Sequence, residues 1–182
     1  LDHLLFVATG LGFLFFLFQL IRTHRKIFRL VENSIQIKKY KSLRIYLSDK
    51  ISGPFSILYK NQKLIFIPEG MLSDKKSYQM ALLHELQHHR QWDTAMIYLV
   101  ELFKGLFFYN PAVWSIANRL HLLSELAVDE SLIHERGVEA KTYGYCLLEV
   151  AAHQTKQGML PRYDRLVGTA SLSAEARTLK RR

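Results

Sequence analysis

The first apolar run of the chain, Leu4–Ile21, contains only Thr9 and Gln19 as polar residues besides glycines. At a helical rise of about 1.5 Å per residue, it is close in length to a hydrocarbon core of about 30 Å. The pattern therefore predicts a transmembrane helix within residues 1–22. A signal peptide is disfavoured because Asp2 precedes the run and no small-residue cleavage site is seen. A buried core helix is the structural alternative.

A basic segment, residues 23–42, comes next. Four cations follow the apolar run almost at once: Arg22, Arg25, Lys26 and Arg29. Residues 22–40 can continue as a basic helix along the membrane surface. By the positive-inside rule, the cations place the C-terminal part of the chain in the cytoplasm.

Short β-rich runs then predict a small sheet. Leu43–Leu47 alternates between apolar and polar residues, which is typical of a strand. Phe55–Tyr59 and Leu64–Ile67 are rich in β-formers, and Asn61-Gln62 between them indicates a hairpin.

Helical patterns occupy the remainder of the domain. Ser73 or Asp74 can cap the first helix, and Asn110 followed by a proline is a typical start for the third. The predicted helices are Gln79–Gln91, about Ala95–Tyr109, Pro111 to about Glu135, and about Glu139–Gln157. The fold class predicted is α+β, mostly helical with a small sheet, preceded by a transmembrane helix. Residues 43–158 would form the main domain. Residues 159–182 would form a basic C-terminal segment, with a short helix possible after Ser173.

The net charge of +9 and the single cysteine limit the function classes. The basic excess lies in the flanks, residues 22–50 and 156–182, whereas residues 51–155 are close to neutral. A nucleic-acid-binding protein would carry the excess across its recognition surface, so we expect no direct nucleic-acid binding. Cys146 alone excludes an internal disulfide framework and fits a reducing compartment. Because the chain starts at Leu1, we expect it to be part of a longer protein.

The chemistry centres on a His-Glu-x-x-His pattern formed by His84, Glu85 and His88. Residues four apart on a helix lie about 40° apart in rotation, so both imidazoles can bind one zinc ion. Glu85 lies about 100° round the helix, where it can accept a proton from the attacking water without binding the metal. This arrangement is typical of zinc hydrolases. A surface helix that happens to carry two histidines is the alternative.

A catalytic zinc usually has three protein ligands. No histidine follows the motif closely, so we look for a carboxylate on a later helix. Glu125 and Asp129 are four apart and share a face. We expect Glu125 to bind zinc and Asp129 to hold a ligand imidazole by its other nitrogen. Taken without the histidine motif, these residues would instead indicate a solvated acidic face.

Two further residues are candidates for supporting roles. Asp93 could fix a ligand imidazole, or simply end the motif helix. His121, one turn before Glu125, could contact the substrate or its oxyanion, although a structural role is the alternative. His89 lies off the ligand face and is not expected to bind metal.

The combination resembles the BlaR/MecR-type membrane zinc metallopeptidases. It comprises the His84–His88 motif with Asp93, then Asn110-Pro111-x-x-Trp114, then Glu125-Leu126-Ala127-x-Asp129. The strands near Pro54-Phe55 and Ile65–Pro68, and Leu179–Arg182, are also similar to that family. The resemblance implies a gluzincin fold, zinc ligands at His84, His88 and Glu125, and Glu85 as the base. This sequence departs from the family's common pattern at Leu123-Ser124 and Val128, none of which is a proposed ligand.

The resemblance also implies that relatives cleave a transcriptional repressor, or themselves, after a sensor domain detects a beta-lactam. Such a sensor would lie beyond Arg182. The function predicted is a zinc endopeptidase anchored in the cell membrane with its peptidase domain in the cytoplasm. Its partners would be the lipid bilayer and a protein substrate. We expect the substrate to pair as a strand with Phe55, Ser56 and Ile57.

Two alternatives remain. One is a housekeeping membrane protease resembling the HtpX or prenyl-protein proteases. The other is a non-catalytic interaction module with a structural metal, which Glu85 disfavours because a structural site needs no base.

Overall fold

The computed structural model describes residues 2–156, apart from the side chains of residues 2, 4–6, 8 and 151–156. The helices are α1 (Asp2–Glu32), α2 (Lys75–Arg90), α3 (Asp93–Leu106), α4 (Pro111–His134) and α5 (Ala140–Lys156). The strands are β1 (Ile35–Tyr40), β2 (Leu43–Ser48), β3 (Phe55–Tyr59) and β4 (Gln62–Pro68), and a 3-10 turn covers Glu69–Ser73. The predicted α+β class, mostly helical with a small sheet, is confirmed. The predicted basic C-terminal segment and the helix after Ser173 lie outside the described residues.

The first helix, α1, extends beyond the apolar run Leu4–Ile21 at its C-terminal end. α1 continues through the basic residues and ends at Glu32. Its last carbonyls are satisfied by side chains, because Asn33 Nδ2 donates to the Arg29 carbonyl and Ser34 Oγ to that of Leu30, both at 2.6 Å. Among the described residues, no helix combines the length and the apolar character needed to cross a membrane. The transmembrane helix therefore stays a prediction.

Residues 35–40 differ from the sequence prediction. They form the edge strand β1, antiparallel to β2, where a helix had been expected. All six residues of β1 are exposed. Residues 35–38 alternate between apolar and polar side chains, as a strand does, but neither face of β1 is buried, and pairing with β2 holds its conformation.

The sheet has the order β1-β2-β4-β3, so β3 is the second edge strand. β2 runs parallel to β4, whereas β3 and β4 form an antiparallel hairpin. The turn comprises Lys60 and Asn61, with φ of 48° and 59°. Positive φ at both positions is the geometry of a type I′ turn. The turn therefore begins one residue earlier than predicted, and Gln62 already pairs with Tyr59.

Both faces of the sheet are covered by helices. On one face, Phe66 stacks between Tyr46 and Phe55, and Ile27 of α1 and Ile97 of α3 complete the cluster. On the other face, residues of β2 and β4 pack against helices α2 and α5, chiefly through Ala81 and Val150. Burial of this apolar surface fixes α2 against the sheet.

The helix starts agree with the predicted caps. The Asp74 carboxylate accepts from the amides of Lys76 and Ser77, at 3.0 and 3.1 Å, and so begins α2. Asn110 caps α4 in the same way through the amide of Ala112. α3 begins earlier than predicted, directly after Trp92, whose φ of 63° reverses the chain between α2 and α3.

Candidate metal centre

The two histidines of α2 point at each other from adjacent turns. His84 Nε2 and His88 Nε2 lie 3.2 Å apart, and both residues are buried. Their ring planes are nearly perpendicular. Helical spacing therefore converges two imidazole nitrogens on one point, as the motif predicts.

Helix α4 supplies a carboxylate to the same point. Glu125 Oε2 lies 3.4 Å from His84 Nε2, and Glu125 Oε1 lies 3.5 Å from His88 Nε2. α4 is held beside α2 by a hydrogen bond in which Gln87 Nε2 donates to Ser131 Oγ at 2.7 Å. Packing of α2, α4 and α5 thus brings together residues far apart in sequence.

These spacings fit a metal ion. Ligand atoms 2.0–2.1 Å from a tetrahedral zinc are about 3.3 Å apart, which matches the distances among the three side chains. One ligand atom from each of His84, His88 and Glu125 lies within 4.8 Å of the others. Two imidazoles and one carboxylate are a ligand set of catalytic zinc sites with an open fourth position.

Asp93 orients His88. Its Oδ2 lies 3.0 Å from His88 Nδ1, so Nδ1 donates and Nε2 is the nitrogen left to bind a metal. Burial lowers the pKa of His88, but the Asp93 hydrogen bond and the charges of Glu85, Glu125 and Asp93 outweigh it and raise the pKa to about 9. A metal ion would therefore displace a proton from Nε2 when it binds. Of the two roles weighed for Asp93, the geometry supports contact with a ligand imidazole.

His84 is held differently from the prediction. Asp129 Oδ1 is 3.6 Å from His84 Nδ1, and the hydroxyl of Tyr143 lies between them. Tyr143 donates to Asp129 Oδ1, and its oxygen is 2.8 Å from His84 Nδ1. Because the single hydroxyl proton goes to Asp129, His84 Nδ1 must donate, which leaves Nε2 free to bind metal. Asp129 therefore acts on His84 through Tyr143.

Tyr143 was not identified from the sequence. It lies on α5, and a tyrosine in an apolar helix face is typical of core packing. Burial, together with the hydrogen bond and charge of Asp129, raises the pKa of Tyr143, so its hydroxyl stays protonated. Only the docking of α5 against α2 and α4 reveals its position.

Glu85, the predicted base, is buried beside the ligands at 4% exposure. It directly follows His84 on α2, and its charge contributes to the raised pKa values of His88 and Tyr143. Burial raises the pKa of Glu125, but hydrogen bonding to His84 and the charges of both ligand histidines lower it overall. Glu125 is therefore held ionised, as a metal ligand must be.

A cavity of about 290 Å³ adjoins the centre. His121 lines it together with His88 and Glu125, as expected for a residue one turn before Glu125. Burial lowers the pKa of His121, which keeps the ring neutral near pH 7. Of the three predicted substrate-strand residues, Ser56 borders the cavity, whereas Phe55 and Ile57 belong to the core of the sheet.

His89 is a structural link and not a ligand. Its Nδ1 lies 3.1 Å from Thr94 Oγ1, and its Nε2 lies 3.3 Å from the Leu64 carbonyl. Burial lowers the pKa of His89 to about 4, so the ring is neutral. It joins α2 to both β4 and α3, a role that helical rotation alone does not reveal.

No curated protein matches this sequence. The family model described as BlaR1 peptidase M56 matches residues 6–181, which is nearly the whole chain. This agrees with the resemblance seen in the motifs and indicates a metallopeptidase. The chain therefore belongs to the BlaR1 peptidase M56 family.

Proposed function

We propose that this chain is a zinc-dependent endopeptidase, anchored at the cell membrane and acting on the cytoplasmic side. The observation that carries the proposal is the spacing of 3.2–3.5 Å among the nitrogens of His84 and His88 and the carboxylate of Glu125. Two histidines with one glutamate form the ligand set of zinc peptidases such as thermolysin.

The side chains around the centre can carry out amide hydrolysis. Zinc, when bound, polarises the scissile carbonyl and makes water more acidic. Glu85 accepts the proton of the attacking water and passes it to the leaving amine. Tyr143 and Asp93 hold the two imidazoles in the tautomer that binds metal through Nε2. His121, neutral and facing the cavity, is positioned to donate a hydrogen bond to the substrate or its oxyanion.

The substrate is proposed to be a protein segment that binds as a strand. β3 is an edge strand, and Ser56 lies where it passes the cavity. Pairing with an edge provides backbone hydrogen bonds that are independent of sequence. Family membership supports a repressor-like protein, or the chain itself, as the substrate.

Membrane association is supported by the outer surface of α1. Its first half exposes large apolar side chains, including Val7, Leu11, Leu14, Phe15 and Phe18. A cluster of Arg and Lys residues follows from Arg22 onward. An apolar helix surface followed by cations suits a bilayer with its headgroups on the C-terminal side.

Substitution within the centre tests the catalytic proposal. His88→Ala removes a ligand and should lose both metal and peptidase activity. Glu85→Ala removes the base and keeps all three ligands, so it should retain one zinc per chain while kcat falls by at least about 100-fold. The measurements are metal content by elemental analysis and cleavage of a random peptide library.

Matched controls separate these effects from general damage. His134→Ala and Glu130→Ala change the same residue types at exposed positions of α4, away from the centre. Both should keep zinc and activity. Full activity in Glu85→Ala would refute the mechanism, and full zinc content in His88→Ala would refute the ligand set.

A further inference from the structure

Only alternate residues of β3 direct their amide and carbonyl groups to the free edge of the sheet. In an antiparallel hairpin, one opposed pair exchanges backbone hydrogen bonds, and the backbone groups of the next pair point away from the partner strand. The pair Tyr59–Gln62 closes the hairpin, so Tyr59, Ile57 and Phe55 bond to β4. The amide and carbonyl groups of Ser56 and Leu58 then face away from β4, towards the free edge. Lys63, which lies opposite Leu58, supports this assignment: its amide points away from β3 and donates to the Ser42 carbonyl on the β2 side.

The two edge residues have different surroundings. Ser56 borders the cavity that also contains His88 and Glu125, although only 1% of Ser56 is exposed. The carbonyl of Leu58 accepts a hydrogen bond from the hydroxyl of Tyr98 on α3, at 2.5 Å. An incoming strand would place its own amide at that position, since an N–H donor lies about 2.9 Å from the carbonyl it bonds.

Tyr98 is held at this position by its environment. The adjacent residue of α3, Ile97, is buried in the same apolar cluster as Ile57 and Phe55. Burial and the charge of Tyr59 raise the pKa of Tyr98, so its hydroxyl remains a donor. The Leu58 carbonyl therefore has a donor of its own and needs none from a substrate.

We propose that Tyr98 determines how far a substrate can pair along β3, so that pairing ends at Ser56. This rests on the proposed peptidase function. The backbone groups of Ser56 are covered, so a substrate strand can exchange hydrogen bonds with them only when the residues lining the cavity move aside. The next inward-facing residue of that strand meets the Tyr98 hydroxyl and ring. The preferred substrate is therefore a short extended segment that turns away on the Leu58 side, as a loop or flexible tail does, and not a long strand.

Peptide length tests this proposal. A peptide cleaved from a random library by zinc-loaded wild-type protein is trimmed to the shortest form that binds, then extended by two residues at one end or the other. Binding is measured in the Glu85→Gln background, where cleavage does not interfere. With Tyr98 present, extension at the end facing Leu58 should leave the Kd unchanged. With Tyr98→Ala, the same extension should tighten binding about 2- to 10-fold, which corresponds to one backbone hydrogen bond.

Further variants make the result specific. Tyr98→Phe keeps the ring and frees the carbonyl, so it should show a smaller gain at the same end. Tyr46→Phe is the matched control, because the Tyr46 hydroxyl bonds Gln36 in the β1–β2 part of the sheet. The control should behave like wild type. Zinc content verifies that each variant is folded.

Two outcomes would overturn the proposal. One is a gain in affinity on extension at the end facing Leu58 while Tyr98 is intact. The other is no gain at that end in either Tyr98 variant. If the wild-type protein cleaves no library member, the peptidase function itself is refuted and this inference with it.

Discussion

Single hydroxyl and carboxyl groups set the orientation of the ligands. Asp93 bonds His88 directly, whereas Asp129 reaches His84 through the hydroxyl of Tyr143. Each partner places a proton on Nδ1 and leaves Nε2 available. Loss of such a supporting partner typically lowers metal affinity by about 10- to 100-fold.

We expect Tyr143→Phe to weaken zinc binding by about 10- to 100-fold. The phenyl ring keeps the packing, but His84 Nδ1 loses its acceptor and Asp129 lies 3.6 Å away, too far for a good hydrogen bond. Competition with a chelator gives the affinity. Tyr145→Phe on the same helix is the control, since Tyr145 is 64% exposed. Equal affinities in the two variants would show that Tyr143 does not position His84.

At the scale of elements, two glycines allow α1 to approach α3 closely. A Cβ added at Gly12 would lie 2.6 Å from the carbonyl oxygen of Gly105. A Cβ added at Gly105 would lie 2.5 Å from the Cβ of Phe16. Neither neighbour is the end of a flexible side chain, so any substitution must push the helices apart. This contact seats the apolar helix α1 against α3.

Gly105→Ala should destabilise the protein by about 1–2 kcal/mol. Overpacking costs about 1–3 kcal/mol, and the helix propensity of alanine offsets about 0.5–1 kcal/mol of it. Gly10→Ala is the matched control, because its added Cβ would meet nothing within 4 Å. That variant should be stabilised by about 0.5–1 kcal/mol. Denaturant unfolding in detergent measures both, and a stabilised Gly105→Ala would contradict the close contact.

For the whole molecule, the notable property is the apolar surface left uncovered by the described residues. α3 uses one side to bury Thr94, Ile97 and Gly105. Its other side exposes large apolar residues, namely Met96, Leu99, Phe103 and Phe107. An exposed apolar side of this kind is typical of a helix in contact with the bilayer surface. Bilayer contact there would keep the cavity near the membrane and favour substrates that come close to it.

Lipid exposure of α3 can be measured with single cysteines. In a variant with Cys146 replaced by alanine, a fluorophore at Phe103→Cys or Phe107→Cys should be quenched by lipids labelled near the headgroups. A fluorophore at Lys75→Cys, exposed at the start of α2, should not be. We expect this difference because α3 exposes apolar side chains, which favour contact with lipid, whereas the start of α2 exposes charged ones. Quenching at Phe103→Cys and Phe107→Cys that is no stronger than at Lys75→Cys would contradict contact between α3 and the membrane.

Much of the protein could be predicted from local sequence. Helix caps at Asp74 and Asn110 depend on contacts within three residues, so their positions follow from residue type. The convergence of His84 and His88 depends on helical rotation alone. The α+β class follows from the same local periodicities.

Tertiary structure decided the features that depend on distant partners. β1 forms because β2 is beside it; the alternation of residues 35–38 is too short to decide its conformation, and both of its faces are exposed. Tyr143 reaches His84, and Tyr98 reaches Leu58, only because α5 and α3 dock where they do. Those positions are set by the burial of apolar surface summed over many residues, which no short stretch of the chain encodes. Sequence thus determined the two converging histidines of α2, and packing determined the carboxylate of Glu125 beside them and the groups that orient them.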